Sequence, residues 1–385
     1  MLVGPIQQEN LALQYLAASA RRAGHDALLC AYSYRKDLDQ ALRETLAAEP
    51  DLVGLGIAFQ NNIEDYLVFI RALRERGYRG HLTCGGHVPT FCYRELLRDE
   101  PGLDTVVRHD GEDTLIEMLD ALAAGRPVAG ITGLVWRDGS DIAQGALRPA
   151  AHDLDALPWP ERSARGYSVG GLPVEFVITA RGCVGECNYC SIAAYTTEQQ
   201  KRYRLRSAES AAAEIAALYH ERGARVVFVQ DDLFVLPSER KTVERTARIS
   251  EALHAAGARD LVFWVKGRPE TITPAVARAL REMGTIHLFL GVESASAERL
   301  AYLGRTHQPS HNESAIAACR AEGIVPSFNF MLFDPDCALD DIEPTLQLAE
   351  RHLDLPWNVC RTEVYSGTAL RARLQNEGRL EGDYR

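Results

Sequence analysis

The feature of this sequence that most limits its fold is the alternation of short apolar runs with longer amphipathic segments along most of its length. Short apolar runs bounded by turn residues are typical of buried strands, and the segments between them have the periodicity of helices. Strands that alternate with helices of about 10–15 residues form parallel sheets, since each helix carries the chain back to the start of the next strand. The alternation therefore predicts an α/β protein.

The first part of the chain predicts a doubly wound, Rossmann-like parallel sheet domain over residues 1–145. In such a sheet, ligands bind beyond the carboxyl ends of the strands. The predicted strands cover residues 2–4, 27–30, 52–57, 81–84, 105–108 and 131–137, and the predicted helices cover residues 10–23, 38–48, 61–76, 90–98 and 114–124.

Residues 146–170 have little periodicity, and Pro158 and Pro160 favour extended backbone, so this segment is predicted to be a linker. The alternation then resumes in a second domain over residues 171–385. Six strands are predicted there, at residues 174–178, 226–229, 261–265, 286–290, 327–332 and 358–364, with helices at 207–222, 238–256, 274–283, 312–322 and 341–352.

Three cysteines follow the first strand of the second domain, with the spacing Cys-x-x-x-Cys-x-x-Cys at Cys183, Cys187 and Cys190. Three thiolates this close face one point only if the backbone curls around it, and Gly182 and Gly185 permit such a curl. Thiolates select zinc, cuprous copper or iron–sulfur clusters. Zinc usually takes four protein ligands, and no second pair follows here. Three cysteines therefore indicate a 4Fe–4S cluster with one open iron.

Composition excludes several classes of function for this chain of 385 residues. The formal net charge of −11 argues against nucleic acid as the main partner. No apolar run approaches the roughly 18 residues that a membrane span requires, and the first residues do not resemble a signal peptide. Nine cysteines without paired spacing, together with an oxidation-sensitive cluster, predict a reducing cytoplasm.

The cysteine spacing after a strand, with Tyr189 before the last cysteine, resembles the radical S-adenosylmethionine (SAM) superfamily. The resemblance implies a partial (β/α)6 barrel with its active site at the carboxyl ends of the strands. It also implies that the open iron chelates SAM, and that reduction by an external flavodoxin- or ferredoxin-like protein cleaves SAM, usually to a 5′-deoxyadenosyl radical.

The same resemblance assigns SAM contacts to residues that follow the predicted strands. The acidic pair after the second strand matches a position that receives the SAM ammonium group, and a Gly-x-Glu-Ser pattern follows a later strand. Basic side chains between them suit the carboxylate or ribose of SAM. The predicted SAM contacts are Tyr189, Gln230, Asp231, Asp232, Lys266, Arg268, Glu293 and Ser294.

The strand ends of the first domain are similar to those of the cobalamin-binding domain that precedes many radical SAM barrels. The best-matching turns are Gly-Gly-x-x-x-Thr and Asp-Gly-Glu, each next to a predicted helix. The Asp-x-His-x-x-Gly pattern that supplies a lower cobalt ligand in other cobalamin proteins does not occur. The predicted cobalamin contacts are Gln7, Gln60, Gly85, Gly86, His87, Thr90, Gly111 and Glu112.

The resemblance to cobalamin-dependent radical SAM enzymes implies methylation of an unactivated carbon or phosphorus in a small molecule or peptide, with cobalamin as the methyl carrier. Cyclisation or ring rearrangement without methyl transfer is the alternative within the superfamily, and a non-catalytic cobalamin and iron–sulfur sensor is the alternative outside it. No catalytic side chain is assigned. The basic residues at 201–206 are expected to form a solvated face.

Overall fold

The computed structural model describes residues 1–6, 9–151, 153–162 and 166–384. Gln7, one of the predicted cobalamin contacts, lies outside the described residues. Across these ranges, no helix is both long and apolar enough to cross a membrane.

The N-terminal half forms a sheet of seven strands within the described residues, in the order β2-β1-β3-β4-β5-β6-β7. Strands β1 to β5 are parallel, and the last two strands extend the sheet in the antiparallel sense. The elements are β1 (Leu2–Gly4), α1 (Leu11–Arg22), β2 (Leu29–Ala31), α2 (Leu38–Ala48), β3 (Leu52–Gly56), α3 (Ile63–Glu75), β4 (His81–Gly85), α4 (His87–Asp99), β5 (Thr105–Val107), α5 (Glu112–Ala123), β6 (Leu134–Asp138) and β7 (Asp141–Gln144).

Helices cover both faces of this sheet, as the doubly wound prediction requires. Helices α2, α3 and α4 bury one core against it, which includes Tyr66 and Phe69, while α1 and α5 bury a second core around Leu13 and Met118 on the other face. The strand order reverses at β1, whose neighbours are β2 and β3. A crevice opens at such a reversal, because the helices on the two sides of it leave in opposite directions.

The C-terminal half forms a second seven-stranded sheet in the described residues, in the order β16-β15-β14-β13-β12-β9-β8. Six of its strands are parallel, as predicted, and β8 is antiparallel to β9. The elements are β8 (Tyr167–Val169), β9 (Leu172–Val177), β10 (Ala180–Gly182), α6 (Ser191–Glu198), β11 (Tyr203–Leu205), α7 (Ala208–Arg222), β12 (Val226–Val229), α8 (Glu239–Ala255), β13 (Val262–Gly267), α9 (Pro274–Glu282), β14 (Thr285–Glu293), α10 (Ala297–Tyr302), α11 (Pro309–Ala321), β15 (Val325–Phe333), α12 (Leu339–Arg351), β16 (Trp357–Arg361) and α13 (Ala369–Asn376).

Alternate residues of these parallel strands lie on opposite faces. Val227, Val265 and Leu288 pack in the core beneath helices. Phe228 and Trp264 are on the other face, where their ring centroids are 4.1 Å apart. The sheet is therefore covered by helices on one face and leaves the other face for ligands.

The structure differs from the prediction in several short elements and in one surface. Strands β7 and β8 and helices α10 and α13 were not predicted. The prediction also had no elements at residues 180–182 and 191–205, where the antiparallel pair β10–β11 and helix α6 occur. The expectation of a solvated basic face at 201–206 is wrong for Arg204 and Arg206, which are buried and paired with Asp110 and Glu214. The pair β10–β11 and helix α6 are stabilised by contacts with the first domain, which local periodicity does not record.

Candidate active site

A cavity of about 310 Å³ lies between the carboxyl edge of the first sheet and the start of the second domain. The first domain lines it with glycines at strand ends and with the loops after β4 and β5. The second domain lines it with the end of the segment from β9 to β10, one face of α6 and the residues after β12. The predicted site residues on its wall are Gly85, Gly86, His87, Gly111, Glu112, Gln230 and Asp232.

The turn after β4 requires glycine at position 86. Gly86 has φ of +114°, and a Cβ on it would lie 2.5 Å from the carbonyl oxygen of Ile57. Thr90 is fully buried outside the cavity lining. Its hydroxyl donates to the Gly86 carbonyl at 2.8 Å and accepts from the His109 amide at 3.0 Å. Thr90 thus connects the two cavity loops, and its side chain is fully buried, so it offers no exposed atom to a ligand.

Three rings form the part of the cavity wall where the domains meet. Tyr195 of α6 has His87 on one side, with ring centroids 4.7 Å apart, and His109 on another, at 4.6 Å. His87 Nδ1 also lies 3.4 Å from the Ser191 hydroxyl. Burial lowers the pKa of His87, so the ring is neutral at pH 7. A neutral, half-buried imidazole suits contact with a flat apolar ligand.

Ion pairs join the loop after β5 to the residues that precede the cysteine loop. Arg181 Nη2 donates to Glu112 Oε1 at 2.6 Å, and Arg204 Nη1 donates to Asp110 Oδ2 at 2.5 Å. All four side chains are largely buried. Burial raises the pKa of Asp110, but Arg181 and Arg204 lower it by more, so this carboxyl is ionised. Glu112 therefore connects the domains through Arg181.

Gln60 lies away from the cavity, after β3. Its side-chain oxygen accepts hydrogen bonds from the amide of Ser366 at 3.2 Å and from its hydroxyl at 3.4 Å. Gln60 thus contacts the loop before α13, at a second junction between the domains.

The cysteine loop runs from β10 to α6 and is held by a distant segment. The amide of Asn188 donates to the Leu303 carbonyl at 3.1 Å, and the Asn188 carbonyl accepts from the Leu370 amide at 2.9 Å. Gly304 has φ of +72°, and a Cβ on it would lie 3.4 Å from the Cα of Cys187. Close packing of the loop against residues 303–304 fixes its path.

The donor set of this loop fits an iron–sulfur cluster. Cys183, Cys187 and Cys190 are free thiols. No three His, Cys, Asp or Glu side chains in the described ranges converge closely enough to hold a single metal ion. A 4Fe–4S cluster binds each thiolate through a different iron, so its ligands stand farther apart than those of one ion. Three thiols in one loop fit such a cluster, which takes one thiolate at each of three irons.

The two adjacent aspartates after β12 differ in what they contact. Asp231 is buried and accepts from the Thr179 amide, the Thr179 hydroxyl and the Ala180 amide at 2.6, 2.6 and 2.9 Å. It fixes the chain as it leaves β9 and has no exposed oxygen for SAM. Asp232 is exposed in the cavity, and among the described residues its carboxylate accepts a hydrogen bond from the Gly182 amide alone, at 3.2 Å.

Two basic residues at the end of β13 face different neighbours. Lys266 Nζ lies 3.5 Å from the carbonyl oxygen of Gln230. Arg268 is buried and donates to Glu270 at 2.6 Å and to Thr306 at 3.1 Å. Its Nη1 has no hydrogen-bond partner within the part of the chain that the structure describes, and a Cβ on Gly185 would overlap that nitrogen. An unpaired buried donor beside the cysteine loop suits an anionic ligand such as the SAM carboxylate.

The residues after β14 also differ from one another. Glu293 has φ of +62° and lies beside Tyr189. Burial raises the pKa of Glu293, against the opposing effect of Arg305. Ser294 is buried, and its hydroxyl lies 3.1 Å from that of Thr345 and accepts from the Ser296 amide at 3.0 Å. Glu293 thus lies next to Tyr189 of the cysteine loop, while the hydroxyl of Ser294 contacts only structural neighbours among the described residues.

Sequence reasoning missed Arg305. Its Nη1 donates to the Cys187 sulfur at 3.5 Å, and its Nη2 donates to the Gly291 carbonyl. The residue follows a glycine in a loop between two helices and belongs to no motif, so the sequence contained no signal for it.

Comparison with known families decides between the interpretations of this arrangement. The family model of the B12 binding domain matches residues 6–119, and that of the radical SAM superfamily matches residues 177–349. The chain belongs to the cobalamin-dependent radical SAM family. The cavity therefore lies between a cobalamin-binding domain and a radical SAM domain, and the cofactors of the family are cobalamin, a 4Fe–4S cluster and SAM.

Curated members of this family resemble the chain over most of its length. An uncharacterized methyltransferase of Pyrococcus horikoshii is 26% identical over 94% of this chain and 77% of the relative. An anaerobic magnesium-protoporphyrin IX monomethyl ester cyclase of Cereibacter sphaeroides is 26% identical over 87% of the chain, and the hopanoid C-3 methylase of Methylococcus capsulatus is 27% identical over 86%. The chain spans 55% and 62% of the length of these two relatives.

Solved structures of family members share the fold. The radical SAM methyltransferase TsrM from Kitasatospora setae, with cobalamin and a 4Fe–4S cluster bound, matches 98% of this chain and 74% of its own, with 19% identity and a TM-score of 0.77. OxsB, with aqua-cobalamin and SAM bound, matches 98% of this chain and 60% of its own, with 18% identity and the same TM-score.

The cavity wall fits part of a cobalamin molecule. Glycines at 54, 56, 85 and 111 line it without side chains, and Leu13, Leu16 and Leu115 make the inner wall apolar. A volume of about 310 Å³ is near the lower end for ligand pockets, so it accepts one portion of so large a cofactor.

Proposed function

We propose that the protein is a cobalamin-dependent radical SAM methyltransferase that acts on an unactivated carbon or phosphorus of a small molecule or peptide. The observation that carries the proposal is a cavity formed by both domains, in which the loops after β4 and β5 face the segment that leads into Cys183. A methyl carrier and a SAM-cleaving centre must be close for such a reaction, and this cavity lies between their two domains.

In this proposal, different side chains hold the cluster, orient SAM and exclude water. Cys183, Cys187 and Cys190 hold the cluster, and the unpaired Nη1 of Arg268 receives the SAM carboxylate beside it. Asp232 presents a free carboxylate oxygen to the cavity. The bound cofactors supply radical generation and methyl transfer, while the protein positions them and restricts water.

The substrate class is proposed from relatives named for small molecules, among them a hopanoid methylase and TsrM, whose structure was solved with a tryptophan substrate. The face of the second sheet that carries Phe228 and Trp264 offers rings for an apolar substrate. An external one-electron donor, of the flavodoxin or ferredoxin class, is proposed as the partner that reduces the cluster.

Isotope transfer tests the methyl-transfer proposal without knowledge of the substrate. The anaerobically reconstituted protein, loaded with cobalamin and reduced, is incubated with SAM labelled with 13C in its methyl group. We expect the label in the cobalamin fraction and S-adenosylhomocysteine as the product. The Cys187→Ala variant serves as a control for SAM cleavage by the cluster. Absence of label from cobalamin, with deoxyadenosine formed, would overturn the proposal.

Cyclisation is the second candidate, because relatives from Cereibacter sphaeroides, Synechocystis and Rubrivivax gelatinosus are named as cyclases. A cyclase forms deoxyadenosine from SAM and does not pass the SAM methyl group to a product. The ratio of S-adenosylhomocysteine to deoxyadenosine in the same incubation separates the two candidates.

A further inference from the structure

Arg305 places a buried positive charge against one cysteine of the cluster loop. Only 6% of its side chain is exposed. Its Nη1 donates to Cys187 Sγ at 3.5 Å, within the range of hydrogen bonds to sulfur. Its Nη2 donates to the carbonyl of Gly291 at the end of β14. The guanidinium therefore links a cluster ligand to the strand end that leads to Glu293.

The position of this charge is fixed by the backbone on both sides. The neighbouring Gly304 packs against the cysteine loop, and the Asn188 side chain donates to the Tyr302 carbonyl. Glu293 Oε1 lies 3.9 Å from Arg305 Nη1. Because the loop before α11 and the cysteine loop are attached to each other, Arg305 keeps its contact with Cys187.

A buried cation favours whichever state of its neighbour carries more negative charge, and one-electron reduction of a cluster adds one negative charge. Hydrogen bonds to the sulfurs of a cluster, net charge and exposure to solvent set its reduction potential. Arg305 combines the first two effects at a site with little water to screen them.

We propose that Arg305 is a positioning residue that holds the Cys187 thiolate and raises the reduction potential of the cluster. The proposal deepens the proposed function and rests on the cluster being bound by Cys183, Cys187 and Cys190. A higher potential lets a given external electron donor reduce a larger fraction of the protein.

The test is a potentiometric titration of the reconstituted protein, without SAM, followed by electron paramagnetic resonance of the reduced cluster. We expect Arg305→Gln to lower the ratio of reduced to oxidised cluster at a fixed potential about tenfold, which is about 59 mV for a one-electron couple. Arg305→Lys keeps the charge without the forked geometry, so its shift should be smaller. Arg202→Gln, which removes an exposed arginine paired with Glu186 of the same loop, is the matched control and should leave the potential unchanged.

Each outcome of this titration has a defined meaning. An Arg305→Gln variant with full iron content and an unchanged potential would overturn the role of Arg305 and leave the proposed function intact. If that variant assembles no cluster, Arg305→Lys decides, and a potential equal to that of the wild type or higher would overturn the proposal. A wild-type protein without a cluster would instead overturn the proposed function. Because SAM is absent, a change in SAM binding does not affect the result.

Discussion

Arg181, two residues before the first cluster cysteine, donates a 2.6 Å hydrogen bond to Glu112 of the cobalamin-binding domain. Both side chains are largely buried, and Asp110 lies 3.7 Å from the same guanidinium. The loop that follows β5 in the first domain is thereby attached to the chain that enters the cysteine loop. This pair is one of the contacts that join the two domains beside the cavity.

Replacement of Glu112 by Gln should lower the free energy of unfolding by about 1.5–3 kcal/mol, the usual contribution of a hydrogen bond to a charged group. Because Asp110 remains close enough to neutralise Arg181, the loss of unfolding free energy stays within this range. Urea unfolding measures the change. Asp354→Asn removes an exposed pair with Arg320 and should leave the stability nearly unchanged. Equal losses in the two variants would show that the Glu112 pair does not join the domains.

The glycine at position 86 should not tolerate alanine. A Cβ there must adopt φ of +114° and approaches the Ile57 carbonyl to 2.5 Å, so the β4–α4 turn has to move. We expect Gly86→Ala to weaken cobalamin binding at least tenfold in a titration followed by absorbance. Gly125→Ala is the matched control, since Gly125 also has positive φ, of +62°, but open space around it. If both variants bind cobalamin equally well, the turn does not shape the site.

The stability of the folded protein should depend on pH through Asp231, the buried member of the aspartate pair. Burial raises the pKa of Asp231 to about 6, from 3.8. A carboxyl whose pKa is higher in the folded state than in the unfolded state stabilises the fold in its protonated form. This contribution is complete below the pKa of the unfolded state, and it is lost as pH rises through about 6. The shift of about two pKa units corresponds to about 3 kcal/mol. The stability of the wild type relative to Asp231→Asn should therefore increase as pH falls from 7 to 5, as measured by unfolding at each pH.

Asp232 and Ser294 were both predicted to contact SAM, and the structure separates them. Asp232→Asn should weaken SAM binding about tenfold or more by calorimetry on the cluster-loaded protein, because it removes a free carboxylate from the cavity. Ser294→Ala should keep the SAM affinity and lose stability, since its hydroxyl bonds to Thr345 and Ser296. The reverse result would show that SAM lies against Ser294.

The sequence predicted the strands well, because buried parallel strands are continuous apolar runs whose ends are marked by turn residues. The strand Val226–Val229 was predicted to the residue. Helix α6 was missed because its boundaries depend on contacts with the first domain, such as those of Tyr195 with His87 and His109. Periodicity within a segment contains no information about a partner surface elsewhere in the chain.

The sequence predicted which strand ends and loops form the candidate site, but it did not predict all of the side-chain contacts there. Spacing in the sequence places Asp231 and Asp232 at the same strand end, but only the fold distinguishes the carboxylate that is satisfied by Thr179 from the one that faces the cavity. Arg305 reaches Cys187 across 118 residues of sequence, and no local pattern marks such a contact. The domain boundaries at 145 and 170 and the individual cofactor contacts stay predictions.

The most direct test of the account is the metal content and absorbance of the anaerobically reconstituted protein and of three variants, Cys183→Ala, Cys187→Ala and Cys190→Ala. The wild type should contain about four iron, four sulfide and one cobalt per chain. Each variant should lose the brown absorbance of the cluster and the cleavage of SAM, and Cys30→Ala, a buried cysteine of the first domain, should keep both. If Cys183→Ala, Cys187→Ala or Cys190→Ala retains cluster absorbance and SAM cleavage, the account is contradicted.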